Sequence, residues 1–148
     1  MRMKNLLISM AMLFVSVCSF AQVDVAVSDV SVTPSSGYKG DSFFVNVTAS
    51  NLGDVNVTDY IIDFYVSKSS SFNMNNATMV GTTFGSSLTP GNKASHSFNF
   101  IFPTNLSNTS TSTWYVWAKI TNRGVLEPSD KEKNNTSSCA ITIYGSSN

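Results

Sequence analysis

The sequence predicts an all-β protein that folds as a β-sandwich of about seven antiparallel strands in two sheets. Apolar and polar residues alternate over several short segments, which is the period of a strand with one buried and one exposed face. Clusters of Gly, Pro, Asn and Asp separate these segments and indicate turns. Ser, Thr and Asn are plentiful while Lys and Glu are scarce, a composition that favours strands and loops over helices.

The first 21 residues have the pattern of a secretory signal peptide. Two basic residues precede an apolar run from Leu6 to Val17, and small residues up to Ala21 suit a cleavage site. The run is shorter than the roughly 20 residues that a membrane-spanning helix needs, and the residues before Cys18 do not suit lipidation. We therefore expect residues 22–148 to form one exported domain, in the periplasm, at the cell surface or outside the cell.

The charge balance of the chain excludes several classes of partner. Nine Lys and Arg residues offset nine Asp and Glu residues, so the formal net charge is zero. This balance gives no basis for binding nucleic acid, and we expect no stable membrane insertion after signal cleavage. Cys18 leaves with the signal, so Cys139 has no partner for a disulfide within the domain, and the fold must depend on packing.

Seven segments are predicted to form the strands of this domain. The first changes parity at Ser28-Asp29, which indicates a bulge or a bend of the kind seen where a strand crosses between sheets. In the others the inward residues share one parity, as in the alternation of Trp114, Val116, Ala118 and Ile120. The seven segments lie at residues 23–32, 42–50, 58–67, 78–84, 94–102, 114–120 and 139–143.

The order of the short motifs along these segments carries a family resemblance. They are DVAVSDVSVTP, GD before the second strand, NLG, DFYVS, MVGTT, SLTPG, IFP, and Asn134-Asn135 before the last strand. In this order the chain resembles the CARDB module, the cell-adhesion-related domain of bacteria. The resemblance implies an immunoglobulin-like sandwich akin to fibronectin type III, in an exported protein with a non-catalytic role.

The candidate catalytic and metal-binding residues are predicted to be structural. His96 shares the core face with Phe98 and Phe100, and Cys139 is predicted to be buried and inert because no basic residues surround it. Glu127 and its acidic neighbours in the same loop are predicted to be solvated charges. The loop after DFYVS offers only neutral Ser and Asn oxygens, so we predict no metal and no cofactor.

The outward aromatic residues of one sheet are the predicted binding site. The third, sixth and seventh strands of an immunoglobulin-like sandwich share a sheet, so their outward side chains are expected to face solvent as neighbours. Such a surface can stack on sugar rings or anchor a protein, although cross-strand pairs that only stabilise the sheet explain it equally well. The residues are Ile61, Tyr65, Tyr115, Trp117 and Tyr144.

Two functions follow from these observations. The first is a non-catalytic adhesion or protein-interaction module, for example an accessory subunit of a cell-surface assembly. The second is a carbohydrate-binding module that uses the outward aromatic residues. The expected partner is therefore a protein or a surface glycan, and no residues are assigned to catalysis.

Overall fold

The computed structural model describes residues 20–146, and these residues form eight β-strands. Two three-residue 3-10 turns are the only helical segments within that range. The strands are β1 Val25–Thr33, β2 Ser36–Gly37, β3 Ser42–Asn51, β4 Tyr60–Ser67, β5 Thr78–Gly85, β6 Lys93–Ile101, β7 Ser112–Asn122 and β8 Thr136–Ile143.

The strands form two sheets that pack face to face. One sheet has the order β1-β3-β6, and the other has the order β2-β8-β7-β4-β5. The predicted all-β immunoglobulin-like sandwich is confirmed, and β4, β7 and β8 share a sheet as expected. The strand that the sequence did not predict is β2, which pairs in parallel with β8 over only two residues. It lies inside a segment rich in Ser and Gly, which reads as a turn.

The parity change in β1 corresponds to a β-bulge. The register between β1 and β3 shifts between Ser28 and Ser31, and Asp29 has a φ of 53°. Strand β1 pairs with β3 on both sides of this bulge, so the bulge does not carry the chain to the other sheet. The chain crosses between the sheets after Thr33, where β1 ends and β2 begins shortly afterwards.

The inward residues of both sheets form the hydrophobic core. The predicted inward residues of β7 are all 5% exposed or less. Aromatic rings connect the two layers: Phe64 on β4 stacks on Phe98 of β6, with centroids 5.2 Å apart and planes 8° apart. This packing places the alternate, outward residues of β4, β7 and β8 on the opposite face of their sheet.

Two glycines in β5 leave room for the aromatic rings of Tyr60 and Phe98. Gly81 pairs with Phe64 and Gly85 pairs with Tyr60 across the strands. A Cβ atom on Gly85 would lie 1.9 Å from the Tyr60 ring, and one on Gly81 would lie 2.0 Å from the ring of Phe98. The missing side chains therefore allow an aromatic ring to cover the backbone of β5.

We expect Gly85→Ala to lower the free energy of unfolding by about 2 kcal/mol or more, because Tyr60 is buried and cannot move aside without strain. Urea denaturation measures this change. The matched control is Gly124→Ala, whose Cβ would meet no atom closer than 3.4 Å and should leave stability nearly unchanged. Equal stability of the two variants would contradict the tight packing at Gly85.

A hydrogen bond between side chains joins the two sheets at the start of β4. The Tyr60 hydroxyl and His96 Nε2 are 2.6 Å apart, and the two rings meet edge to face. Burial lowers the pKa of His96 below its ordinary value, which favours the neutral imidazole, whose Nε2 can accept a hydrogen bond from the Tyr60 hydroxyl. His96 is the only histidine in the sequence.

We expect the protein to lose stability as the pH falls below about 6.5, the ordinary pKa of histidine. The unfolded chain then binds a proton that the folded chain binds less readily, which favours unfolding. Denaturant midpoints between pH 7.5 and pH 5 measure the slope, and His96→Gln, which keeps an acceptor but does not titrate there, should flatten it. An unchanged slope in that variant would assign the pH dependence to other groups.

The predicted signal peptide falls almost wholly on residues 1–19, which lie outside the described residues. Within residues 20–146, none of the helical segments has the length and apolar character needed to cross a membrane.

Candidate functional site

The two central residues of the predicted aromatic surface are buried. Tyr65 on β4 pairs directly with Trp117 on β7, and their side chains point outward as the alternation predicts. Tyr65 is only 6% exposed, however, and Trp117 is 8% exposed. The prediction that these two residues face solvent is therefore wrong, and the reason lies in the loop that follows β4.

Phe72 in the loop between β4 and β5 covers both residues. Its ring centroid lies 5.3 Å from that of Tyr65 and 5.5 Å from that of Trp117, in edge and tilted arrangements. Phe72 itself is half-buried. The sequence offered one signal for this contact, since Phe72 is the one aromatic residue in the polar run SKSSSFNMNN. Such a residue is expected to find an apolar surface.

The other three predicted residues do not complete a continuous aromatic surface. Ile61 and Tyr115 are half-buried, and Tyr115 pairs with Ser67 and Ala140, which carry no ring. Tyr144 is 38% exposed, but its ring packs on Tyr38 with a centroid distance of 5.1 Å. Its hydroxyl also donates to Ser36 Oγ at 3.1 Å. A role of Ile61, Tyr115 and Tyr144 in binding stays a prediction.

The loop between β7 and β8 contains a buried carboxylate. Glu127 was predicted to be solvated, yet it is 8% exposed, so that prediction is wrong. Its Oε1 accepts a hydrogen bond from the Val25 backbone N–H at 2.9 Å, and its Oε2 accepts one from Asn135 Nδ2 at 2.6 Å. We call this pair of hydrogen bonds the Glu127 bridge. It joins the start of β1 to the loop that precedes β8.

Neighbouring polar residues extend the Glu127 bridge. Asn134 Nδ2 donates to Asp24 Oδ1 at 2.8 Å, and Lys131 Nζ lies 4.0 Å from Asp24 Oδ2. The Asn135 carbonyl accepts from Ile120 N at 2.9 Å. The Asn134-Asn135 pair thus fastens the loop to β7 and to Asp24, the residue before β1, which gives this sequence motif a structural role.

Burial raises the pKa of Glu127, and the hydrogen bonds from Asn135 and Val25 oppose that shift. A raised pKa means that the folded chain binds the proton more readily than the unfolded chain. The contribution of this group to stability is therefore greatest at low pH and is lost as the pH rises through the raised pKa.

A cleft of about 410 Å³ opens beside this loop. The C-terminal end of β7 and the N-terminal end of β8 form one side of the cleft, and the loop between these strands forms the other. Phe72 closes it next to the buried aromatic pair. Eleven residues line it: Phe72, Lys119, Ile120, Thr121, Asn122, Leu126, Glu127, Glu132, Lys133, Asn135 and Thr136. Its volume lies within the range of small-molecule sites.

Cys139 was predicted to be buried, but it is half-buried and packs against the core from β8. Part of its side chain is open because β8 lies towards the edge of its sheet, next to the very short β2. Residues 20–146 contain no group of three or more His, Cys, Asp or Glu side chains arranged to hold a metal ion.

Comparison with solved structures identifies the fold as CARDB-like. A crystal structure of a CARDB domain from Pyrococcus furiosus, in complex with di-metal ions, superposes with a TM-score of 0.59 at 17% identity. The alignment covers 86% of this chain and 99% of that domain. A solution structure of the same domain superposes with a TM-score of 0.56 at 18% identity. That alignment covers 84% of this chain and 97% of the domain. No protein-family model matches the sequence, and no curated protein does.

Similar sandwiches occur inside larger proteins. A β-glucosidase from Erythrobacter marinus matches with a TM-score of 0.54 at 15% identity, over 82% of this chain and 15% of the enzyme. The sporulation control protein Spo0M of Bacillus subtilis matches with a TM-score of 0.53 at 10% identity, over 83% of this chain and 50% of that protein. At these identities the likeness concerns the fold alone.

We expect Glu127→Ala to lower the free energy of unfolding by about 2–5 kcal/mol, because two donors lose their acceptor in a buried site. Chemical denaturation at pH 7 measures the loss. The matched control is Glu132→Ala in the same loop, where the side chain is exposed, and its effect should stay within about 0.5 kcal/mol. Similar effects in both variants would contradict a special role for Glu127.

Proposed function

We propose that this protein is a non-catalytic, exported interaction module that binds an extended segment of a partner protein along strand β5. The observation that carries the proposal is the unprotected edge of this strand. The CARDB-like fold supports it as a scaffold of the kind found in surface proteins, and the pattern of the first 21 residues supports export.

Strand β5 is the last strand of its sheet, so one side of its backbone has no neighbouring strand in the sheet order. The segment TMVGTTFG contains no charged residue and no proline. Charges, prolines, short length and bulges are the features that keep sheet edges from pairing with other chains. An edge without charge or proline is a ready template for strand addition.

The other edges of the two sheets are better protected. Strand β2 has only two residues, β1 is bulged at Asp29, and β6 starts with the charged residue Lys93. Strand β5 has a bulge of its own, where the register shifts between Gly81 and Met79. The regular part of the edge is therefore Gly81–Gly85, which can pair with a segment of about five residues.

Exposed apolar side chains lie along the same edge. Phe84 is 68% exposed and Met79 is 51% exposed, and both point outward because they pair with the outward residues Ile61 and Tyr65. An added strand would bring its own side chains beside Phe84. Burying such a ring contributes about 1.5–3 kcal/mol to association, which makes Phe84 the expected anchor of the contact.

We expect Phe84→Lys to weaken partner binding about tenfold or more while the domain stays folded. Proteins captured from the native cell envelope would be identified and purified, and calorimetry would then measure their affinity for each variant. The matched control is Ile101→Lys, which places the same charge at a 66% exposed residue on β6, an edge strand of the other sheet. It should bind like the unmodified protein.

Three outcomes of this experiment would overturn the proposal. They are equal binding by Phe84→Lys and the unmodified protein, an equal loss in Ile101→Lys, and the absence of any purified protein that binds directly. A carbohydrate-binding role on the predicted aromatic surface receives less support, because Phe72 covers Tyr65 and Trp117.

A further inference from the structure

The regular part of the β5 edge has a sequence that can pair with a copy of itself. Gly81–Gly85 reads Gly-Thr-Thr-Phe-Gly, with a glycine at each end and Thr83 at the centre. A two-fold axis through Thr83, perpendicular to the sheet, sets two such segments antiparallel. Thr83 then lies opposite Thr83 of the second copy, and each Gly81 lies opposite a Gly85. The segment thus meets the geometric requirement of a two-fold dimer, the commonest assembly of identical chains.

The outward side of this pairing brings the exposed Phe84 rings together. In this register Phe84, which is 68% exposed, lies opposite Thr82 of the second copy. The two Phe84 residues are then diagonal neighbours, a spacing that aromatic side chains can bridge. The Thr82 hydroxyl donates to Asp63 Oδ1 at 2.6 Å within its own chain, so it needs no partner across the seam. Each ring therefore covers apolar surface that a single chain leaves in water.

The inward side of the pairing brings two further rings into contact. A Cβ atom on Gly81 would lie 2.0 Å from the Phe98 ring, and one on Gly85 would lie 1.9 Å from the Tyr60 ring, so these rings occupy the places of the missing side chains. The Cβ positions of directly opposite residues are about 4.5–5.5 Å apart. Phe98 of one copy would therefore contact Tyr60 of the other, which covers the exposed part of the half-buried Phe98.

The charges near the edge permit this pairing. A strand that pairs with its own copy brings like charges close together, and β5 contains no charged residue. The outward Asp63 lies one strand further in, where it pairs with Thr82. The two Asp63 carboxylates are then separated by three strand spacings, about 14 Å, which exceeds the screening length in physiological salt. An edge that binds a charged segment of another protein would benefit from complementary charge, whereas self-pairing requires a neutral edge.

We propose that the partner bound along β5 is a second copy of this chain, in the register that sets Thr83 opposite Thr83. The two five-stranded sheets then join into one continuous sheet across the two-fold axis. The inference rests on the proposed function, because it uses the same edge and names its occupant.

The first test is analytical ultracentrifugation of the purified protein from about 10 µM to about 1 mM. We expect a reversible dimer with a dissociation constant below about 1 mM, since the contact is small. Phe84→Lys should raise this constant about tenfold or more, because it replaces two apolar neighbours with two ammonium groups. The matched control is Ile101→Lys on β6, which adds the same charge to an exposed residue of the other sheet and should dimerise like the unmodified protein.

The second test determines the register by disulfide trapping, in chains that carry Cys139→Ser. Opposite residues lie within the Cα separation that a disulfide spans, whereas residues on the diagonal lie at about 7–8 Å, beyond it. Thr83→Cys should therefore form a covalent dimer under mild oxidation several-fold faster than Thr82→Cys. The two substitutions differ by one residue along the same strand, so each serves as the control for the other.

Four results would overturn this inference: a monomer at about 1 mM, equal dimerisation of Phe84→Lys, an equal loss in Ile101→Lys, and trapping of Thr82→Cys as fast as that of Thr83→Cys. Failure of this inference is distinguishable from failure of the proposed function. If the protein is monomeric while a different captured protein binds through Phe84, only the second copy is excluded. If no protein, including this chain, binds through Phe84, both proposals fail.

Discussion

The two hydrogen bonds accepted by the buried Glu127 carboxylate hold the β7–β8 loop against the start of β1. The arrangement of the chain around this loop depends on them. The carboxylate accepts hydrogen bonds from Val25 N in the first sheet and from Asn135 in the loop of the second sheet. The donor and acceptor of the first bond are 102 residues apart in the chain. Without such a link the β7–β8 loop would be a charged, solvated connection, and the start of β1 would have one buried N–H unpaired.

The same interaction determines the shape of the cleft. Because Glu127 turns inward, its neighbour Leu126 is left almost fully exposed at the mouth of the cleft. Because Asn135 Nδ2 donates to Glu127, the side-chain amide of Asn135 is held in one orientation and its Oδ1 is buried. Both carboxylate oxygens of Glu127 are paired, and this satisfied part of the network holds the β7–β8 loop in one position beside the cleft.

The strands could be predicted from the sequence because their pattern repeats with a period of two, as in Trp114, Val116 and Ala118. Burial of one face determines which residues face inward, so the core and the sheet partners follow from it. That period says nothing about which outward residues a loop will cover, and Phe72 covers Tyr65 and Trp117 through a contact of tertiary origin. The burial of Glu127 likewise depends on a partner far away in sequence, which no local pattern indicates.

The loop also contains buried polar atoms without a partner among the described residues. They are Asn134 Oδ1 and Asn135 Oδ1. The Glu127 bridge uses only the amide nitrogen of Asn135, and the unpaired oxygens offset part of the stability that the buried hydrogen bonds contribute. The position of the loop therefore depends on the atoms that are paired, the two Glu127 carboxylate oxygens and the Asn135 carbonyl, and not on complete pairing of every buried polar group.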